Sequence, residues 1–424
     1  MDMYCKVKTK QSIMSETLNI LTYGPLPMME ASIPKKKHSL YPVLKSFLIF
    51  GIDVEQQENF VNSGRFAFKT WSVIITLCYH YFLISDLSWY IRRSVQENAI
   101  AESTSVWTAV LTYDLFLLNK KNISKTVRFV QVQTMRLTEK ERKRFEKIVL
   151  TVCCIVWIYV CMFVIQHGAF KHRESYGEFH TTTLLHMVYK KLDNPWCTVF
   201  AKLDKCFESF FIQGFLTLTM ALYILLCLSA KLWFKTFQQY FKTHIATNHN
   251  IEEGGHMLDV GQFNSSYQSL AKNVERFDNG FSQIVGIWLL MIFVTLCVRI
   301  VSVLNPLTTT TQQMLTVIVM TFSRALTALV GTSFAADAVY NESLKAISIL
   351  FKVTISENTM WKNSTFFGIH LALMRYSFYP TQLTVWKFAR LNRGFLMTCL
   401  GMMATYIIIA IQLYPNAMKG IESL

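Results

Sequence analysis

The sequence predicts an all-α integral membrane protein. It would have seven transmembrane helices, a cytoplasmic N-terminus, an extracellular C-terminus and long cytoplasmic helical extensions. Composition is the first observation behind this. Of 424 residues 52% are hydrophobic and only 16% charged, and the mean hydropathy is +0.29, apolar for a soluble protein. The second is a set of seven stretches long enough to cross a hydrocarbon core, which takes about 20 helical residues. The third is the placement of Lys and Arg, which falls heavily on alternate connections.

Residues 1–70 read as a cytoplasmic N-terminal segment. Its first 40 residues are mixed, without the apolar run of a cleavable signal peptide. Leu44–Ile52 is apolar but too short to span and reads as an interfacial helix. The predicted spans one to six, within 71–334, are Trp71–Tyr90, Ala99–Leu118, Ile148–His167, Phe207–Ala230, Phe281–Leu304 and Gln312–Phe334. Glu102 and Asp114 interrupt the second, which is kept because the charge alternation requires it. Residues 335–394 form a predicted cytoplasmic helical anchor region, and Phe395–Leu413 the seventh span. One membrane domain covers 1–424, without a repeat or linker.

Orientation follows from the basic residues. Nine Lys and Arg precede the first span, and ten more crowd into Lys120–Lys147. Arg299 and Arg324 alone lie inside spans. The positive-inside rule puts the N-terminus in the cytoplasm, opposite to a G-protein-coupled receptor. The net charge of +15 is then mainly a topology signal, and nucleic acid is not an expected partner. Four N-glycosylation sequons, at Asn122, Asn264, Asn341 and Asn363, all fall on the predicted cytoplasmic side, in tension with the orientation. Asn305–Thr311 is a short outer connection, so spans five and six should form a hairpin.

Enzyme chemistry finds no footing. No P-loop, dinucleotide fingerprint, nucleophile elbow or HExxH motif is present, and no cofactor or metal is expected. Cys197 and Cys206 lie on the predicted oxidising side, as a disulfide or as two free thiols.

The last span carries its polar residues in a pattern. Thr398, Thr405 and Gln412 recur every seven residues, and so share a helical face with Gly401. A Gln in lipid leaves hydrogen-bonding groups unsatisfied, so this face should meet protein or water. Either it bonds to other helices or it lines a pore. Ile409 lies one turn from Gln412, whereas Ile408 is expected to turn away.

The same residues resemble a known family. Thr405-Tyr406, five apolar residues and Gln412-Leu413 are similar to the Thr-Tyr, five hydrophobics, Gln-Phe signature of insect gustatory receptors. Phe388, Leu391 and Arg393 match the Phe-Phe-x-Leu-Asp-Arg stretch common before it. Leu413 stands for the usual Phe, Ala389 for an aromatic and Asn392 for the acid. The sugar-sensing branch typically has Glu after Thr-Tyr, where this chain has Ile407. Insect odorant receptors share the architecture but usually lack this pattern.

The resemblance implies a ligand-gated cation channel in the plasma membrane of sensory neurons. It would assemble as a homo- or heterotetramer with four last helices around one pore. Thr398, Thr405, Ile409 and Gln412 would line that pore for permeating cations, and Leu413 would close it by dewetting. The expected ligand is a small-molecule tastant other than a common sugar. Its expected site lies in the outer half of the bundle, lined by Tyr79, Phe82, Trp89 and Trp107. Phe163, Gln166, Phe210, Phe211 and Gln213 complete it, although Trp and Tyr also collect at membrane interfaces. Asp86, Glu102 and Glu208 make an acidic outer rim that would suit a cationic ligand. Arg324 sits mid-span, where an unpaired Arg costs at least ~2.5–3.5 kcal/mol. Asp114 is the carboxylate best placed to pair with it. The alternatives are a G-protein-coupled seven-span receptor and an odorant-type channel.

A tag on the C-terminus should react with antibody on intact cells, and one on the N-terminus only after permeabilisation. Glycosidase should leave electrophoretic mobility unchanged. Sugar on Asn264 or Asn363 would reverse the orientation.

Overall fold

The computed structural model describes residues 39–55, 62–92, 97–169, 195–248, 260–304, 312–356 and 380–413, with isolated positions between 370 and 376. Nine helices occur among them: α1 (Tyr41–Ile49), α2 (Asn62–Arg92), α3 (Glu97–Leu118), α4 (Lys120–Met135), α5 (Glu139–Ala169), α6 (Pro195–Asn248), α7 (Val260–Leu304), α8 (Gln312–Ser356) and α9 (Arg393–Leu413). Each predicted span falls inside one helix. Five helices hold apolar stretches long enough to cross a membrane, from Arg65–Leu87 to Val319–Ile349, and Arg393–Ile409 is a shorter apolar helix. Ile155, Ile158 and Ile165 of α5 and Leu77 and Ile84 of α2 are exposed, as lipid-facing positions should be. The chain is a multi-pass membrane protein.

The helices pack around α6, which touches α1, α3, α4, α5, α7 and α8. Phe215, Leu222, Leu225 and Phe234 along it are fully buried. The α3 helix falls short of membrane-spanning hydropathy for a visible reason. It lies among α2, α6 and α7, where Thr104, Thr108 and Thr112 are buried in protein. The expected pairing of α7 and α8 is present, while the Asn305–Thr311 connection lies outside the described residues. Past the predicted spans, which end at Ala230 and Phe334, α6 and α8 continue together, with Gln238 donating to the Glu342 carbonyl at 2.8 Å.

Three expectations change. The helix expected at Leu44–Ile52 forms as α1 over Tyr41–Ile49, and its buried side faces the protein. Val43 and Phe47 are buried, Phe47 stacking on Phe116 with centroids 5.3 Å apart. Phe50 packs against Gly214 of α6, where a Cβ would come within 2.9 Å of its ring. Next, the basic segment after α3 is not a loop. Ile123, Val127 and Val130 recur at i, i+4 and i+7, and they bury α4 against α6 and α7. Finally, the anchor region is not helical throughout, since a two-stranded antiparallel hairpin, β1 (Thr384–Val385) and β2 (Ala389–Arg390), precedes α9.

Helix continuity decides the cysteine question. Cys197 and Cys206 lie nine residues apart in α6, a rise of roughly 13 Å, beyond the ~7 Å Cα limit of a disulfide. They do not bridge to each other, and Cys206 is a free thiol. Three sequon asparagines sit within helices. Asn264 accepts a hydrogen bond from the Tyr376 hydroxyl, and Asn341 donates to Asp337 at 2.8 Å. Such engaged side chains are poor glycan acceptors. Asn363 lies outside the described residues.

The α1 helix ends where Gly51 takes a left-handed conformation, φ 71°. Its N–H bonds to the Leu48 carbonyl, and that of Ile52 to the Phe47 carbonyl, a pair of bonds that satisfies the last carbonyls of the helix. A Cβ there would also lie 2.9 Å from the Ser72 Cα. Gly51→Ala should therefore destabilise the detergent-solubilised protein by ~1–2 kcal/mol or more, read as a lower thermal midpoint. An unchanged midpoint would remove this role for Gly51.

Candidate functional site: the final helix and an intramembrane cavity

The last helix is delivered by a strained turn. Trp386 and Lys387 both have positive φ, 49° and 66°, unfavourable for any residue with a Cβ. One stripe of α7 holds them there. Asp278 accepts from the Thr384 N–H and hydroxyl, each at 2.7 Å, and from the Lys387 ammonium. One turn on, Ser282 accepts the Trp386 N–H at its carbonyl and the Lys387 N–H at its hydroxyl. After another turn comes Gly286, where a Cβ would fall 2.5 Å from the Trp386 ring. Only Gly lets the indole lie on the helix at this point.

The family-motif residues have separate tasks. Leu391 is buried and donates its N–H to Leu383, whereas Phe388 is exposed and stacks on Trp386. Asn392 caps α9, its side chain accepting the Phe395 N–H at 2.8 Å. Asn serves as well as Asp in that position, so its departure from the family pattern is chemically mild. Arg393 pairs with Asp337 of α8 at 2.9 Å and lies over Phe334.

From there α9 turns its polar stripe away from its own subunit. Leu396 and Met403 are its buried residues, and Tyr406 is half-buried. Thr398, Gly401, Thr405 and Gln412 are exposed, roughly opposite the buried pair on the helix. No atom stands within 4 Å of a Cβ placed on Gly401. The Thr398 and Thr405 hydroxyls donate to the carbonyls of Gly394 and Gly401, so they do not join α9 to other helices of the subunit. Ile409 is exposed on the edge of the stripe. Ile408, expected to turn away, is exposed as well, so Ile407, which is half-buried, takes the inward position. The Leu413 side chain lies outside the described residues.

The aromatic residues expected to wall a ligand site lie mostly in packed core. Tyr79 stacks on Tyr113 at 4.4 Å and donates to the Phe211 carbonyl. Phe210 and Phe211 close on Phe50. Phe82 and Phe163 are buried, and Trp107 is half-buried. The side chains of Trp89 and Gln166 lie outside the described residues.

A cavity opens nearby, between α3, α6, α7 and α8, around Arg324. It holds about 450 Å³ not filled by protein atoms, open mouth included. Trp288, Met220, Met291 and Ile292 form its apolar wall, with Thr108, Thr217 and Thr295 beside them. None of the seven expected ligand-site residues with described side chains lines it. Two border it, however: the Phe163 ring centroid lies 5.9 Å from the Arg324 guanidinium carbon, and the Gln213 main-chain carbonyl accepts the Thr217 hydroxyl. The expected partner of Arg324 is elsewhere, since Asp114 faces His80 at 3.8 Å. Spacing alone put Asp114 near, but helix rotation turns it toward α2. Among the described residues no group of three His, Cys, Asp or Glu could hold a metal.

No family profile and no curated protein matches this sequence. The fold, by contrast, has solved counterparts. The olfactory receptor OR5 of the insect Machilis hrabei superposes with a TM-score of 0.65 at 12% identity, over 88% of this chain and 97% of that one. The structure of the same receptor in complex with eugenol superposes with a TM-score of 0.66 at the same identity and coverage. The chain thus has the fold of an insect olfactory receptor.

Asp278→Ala should loosen the hairpin without unfolding the bundle. Losing acceptors for a half-buried N–H and a strained turn costs ~1–3 kcal/mol. Amide exchange across 383–391 should then quicken about tenfold or more, while α6 remains protected. Unchanged exchange there would show that the turn is held by something else.

Proposed function

We propose that this chain is a chemosensory receptor that opens a non-selective cation channel when it binds a small organic ligand. The observation that carries the proposal is the direction of the α9 polar stripe. Thr398, Thr405 and Gln412 point away from their own subunit; the two Thr hydroxyls are satisfied within the helix, but the Gln412 amide cannot be, and its donors and acceptor are poorly suited to lipid. The helix is well suited to face three copies of itself across a wet axis. A homo- or heterotetramer then forms one pore, with Gln412 amides hydrating or coordinating a passing cation and Leu413 at the constriction. The shared fold with an insect olfactory receptor supports the channel reading, and it is against a G-protein-coupled one.

Within that class the proposed modality is taste. The Thr405-Tyr406…Gln412 pattern supports it, as do Phe388, Leu391 and Arg393, and Ile407 in place of Glu points away from common sugars. An odorant-type channel is the second reading, favoured by the olfactory neighbour. In either case the protein is proposed to sit in the plasma membrane of sensory neurons, with the basic end of the bundle in the cytoplasm.

Ligand-evoked current should appear in excised patches bathed without nucleotide, and a requirement for guanine nucleotide would sink the channel reading. Leu413→Ala should raise ligand-free current, since a smaller side chain leaves a wider constriction that wets more readily. Gln412→Ala should change conductance or ion preference. Ile407→Ala is the packing control and should do neither. Parent-like conduction by surface-expressed Leu413 and Gln412 variants would remove α9 from the pore.

A further inference from the structure

The cavity around Arg324 contains an imbalance that points to its ligand. Its lining includes one formal charge, that of Arg324, and no carboxylate. The Arg324 Nη1 is buried and has no hydrogen-bond partner among the described residues. The Phe163 ring, with its centroid 5.9 Å from the guanidinium carbon, offers a cation–π contact but no acceptor lone pair for that N–H. Such a donor in a low-dielectric setting is costly unless something accepts from it.

Four of the cavity's other polar side chains are engaged elsewhere, Thr295 sharing a hydrogen bond with Thr104 at 3.2 Å. Thr108 and Thr217 donate their hydroxyl hydrogens to the Thr104 and Gln213 carbonyls of their own helices. Trp288 spends its indole N–H on Thr112 at 3.0 Å. The wall therefore offers apolar surface with hydroxyl oxygens turned to other work, and Arg324 is the strong donor left over. Met220 and Met291 are unbranched and can change rotamer to admit a body of variable shape.

Resting on the receptor reading above, we propose that this cavity binds a small organic acid. The Arg324 guanidinium takes the carboxylate through charge-assisted hydrogen bonds, and Trp288, Met220 and Met291 take the apolar body. This reverses the preference for a cation that the acidic residues at the bundle end suggest, because neither Asp86 nor Glu208 is among the residues that line this chamber, and Asp86 accepts the Ser103 hydroxyl.

The test is binding to the purified protein in detergent, which does not depend on channel current. Benzoate and hexanoate are titrated against benzyl alcohol and 1-hexanol, with the rise in thermal midpoint as readout. Both acids should bind at least tenfold more tightly than the matched alcohols. Arg324→Gln should abolish that preference, and Arg324→Lys should retain part of it. The ligand-free midpoint of Arg324→Gln should equal or exceed the parent's, because an unpaired buried charge is removed. Should Arg324→Gln fail to fold, Ala328→Leu serves: it fills the chamber beside an intact Arg324 and should also abolish acid binding. Palmitate is the lipid arm, and binding of palmitate without benzoate or hexanoate would move the source to lipid and overturn the proposal. Acids binding no better than alcohols, or equally well to Arg324→Gln, would overturn it too. Current evoked by some other compound in a protein that ignores these acids would sink this inference alone and leave the channel reading standing.

Discussion

A single carboxylate, that of Asp278, governs where the last helix begins. The chain must reverse between Val385 and Phe388, and it does so through two residues in the left-handed region, Trp386 and Lys387. Each costs on the order of 1–3 kcal/mol, and no glycine is there to lower that figure. Asp278 offsets the strain by accepting from both ends of the turn, while Ser282 and Gly286 complete the cradle. Five residues later Asn392 caps α9, and Arg393 locks its first turn to Asp337. The direction of the α9 polar stripe is inherited from these contacts, since a helix fixed at its first turn has its rotation set along its whole length.

The α7 helix thereby serves two sites. Its Asp278, Ser282 and Gly286 hold the hairpin, and Trp288, Met291 and Thr295, which follow them along the helix, wall the Arg324 cavity. The α8 helix is shared in the same way, through Asp337 near its middle and Arg324 closer to its start. A molecule seated in the cavity and the base of α9 thus touch the same two rigid elements.

Polar residues within apolar helices behave uniformly here, with instructive exceptions. Thr76, Thr108, Thr217, Thr219, Thr332, Thr398 and Thr405 all return their hydroxyl hydrogens to the carbonyl four residues back. A Thr so satisfied is indifferent to whether lipid, protein or water lies beyond it, and it weakly specifies helix partners. Arg324 and Gln412 cannot satisfy themselves this way, having too many donors and too long a reach. The functional signals of this chain therefore concentrate on these two residues.

Hydropathy and helical period alone specify the helical class, the helices that contain the seven predicted spans, the free polar stripe of the last one and the oddity of Arg324. Each of these is a local property, written in hydropathy and in a period of 3.6 residues. Even α4 was legible in Ile123, Val127 and Val130, although its ten neighbouring basic residues disguised it as a loop. Packing between helices is what places Tyr79, Phe210 and Phe211 in packed core, turns Asp114 toward His80 and opens the chamber around Arg324 instead. It also decided the hairpin, whose left-handed residues carry no glycine, asparagine or aspartate to announce them. The physical reason is common to all these cases. A helix face is defined by its own residues, but a cavity or a held turn is the space and the bonds left between several helices, and depends on rotations that no single segment encodes.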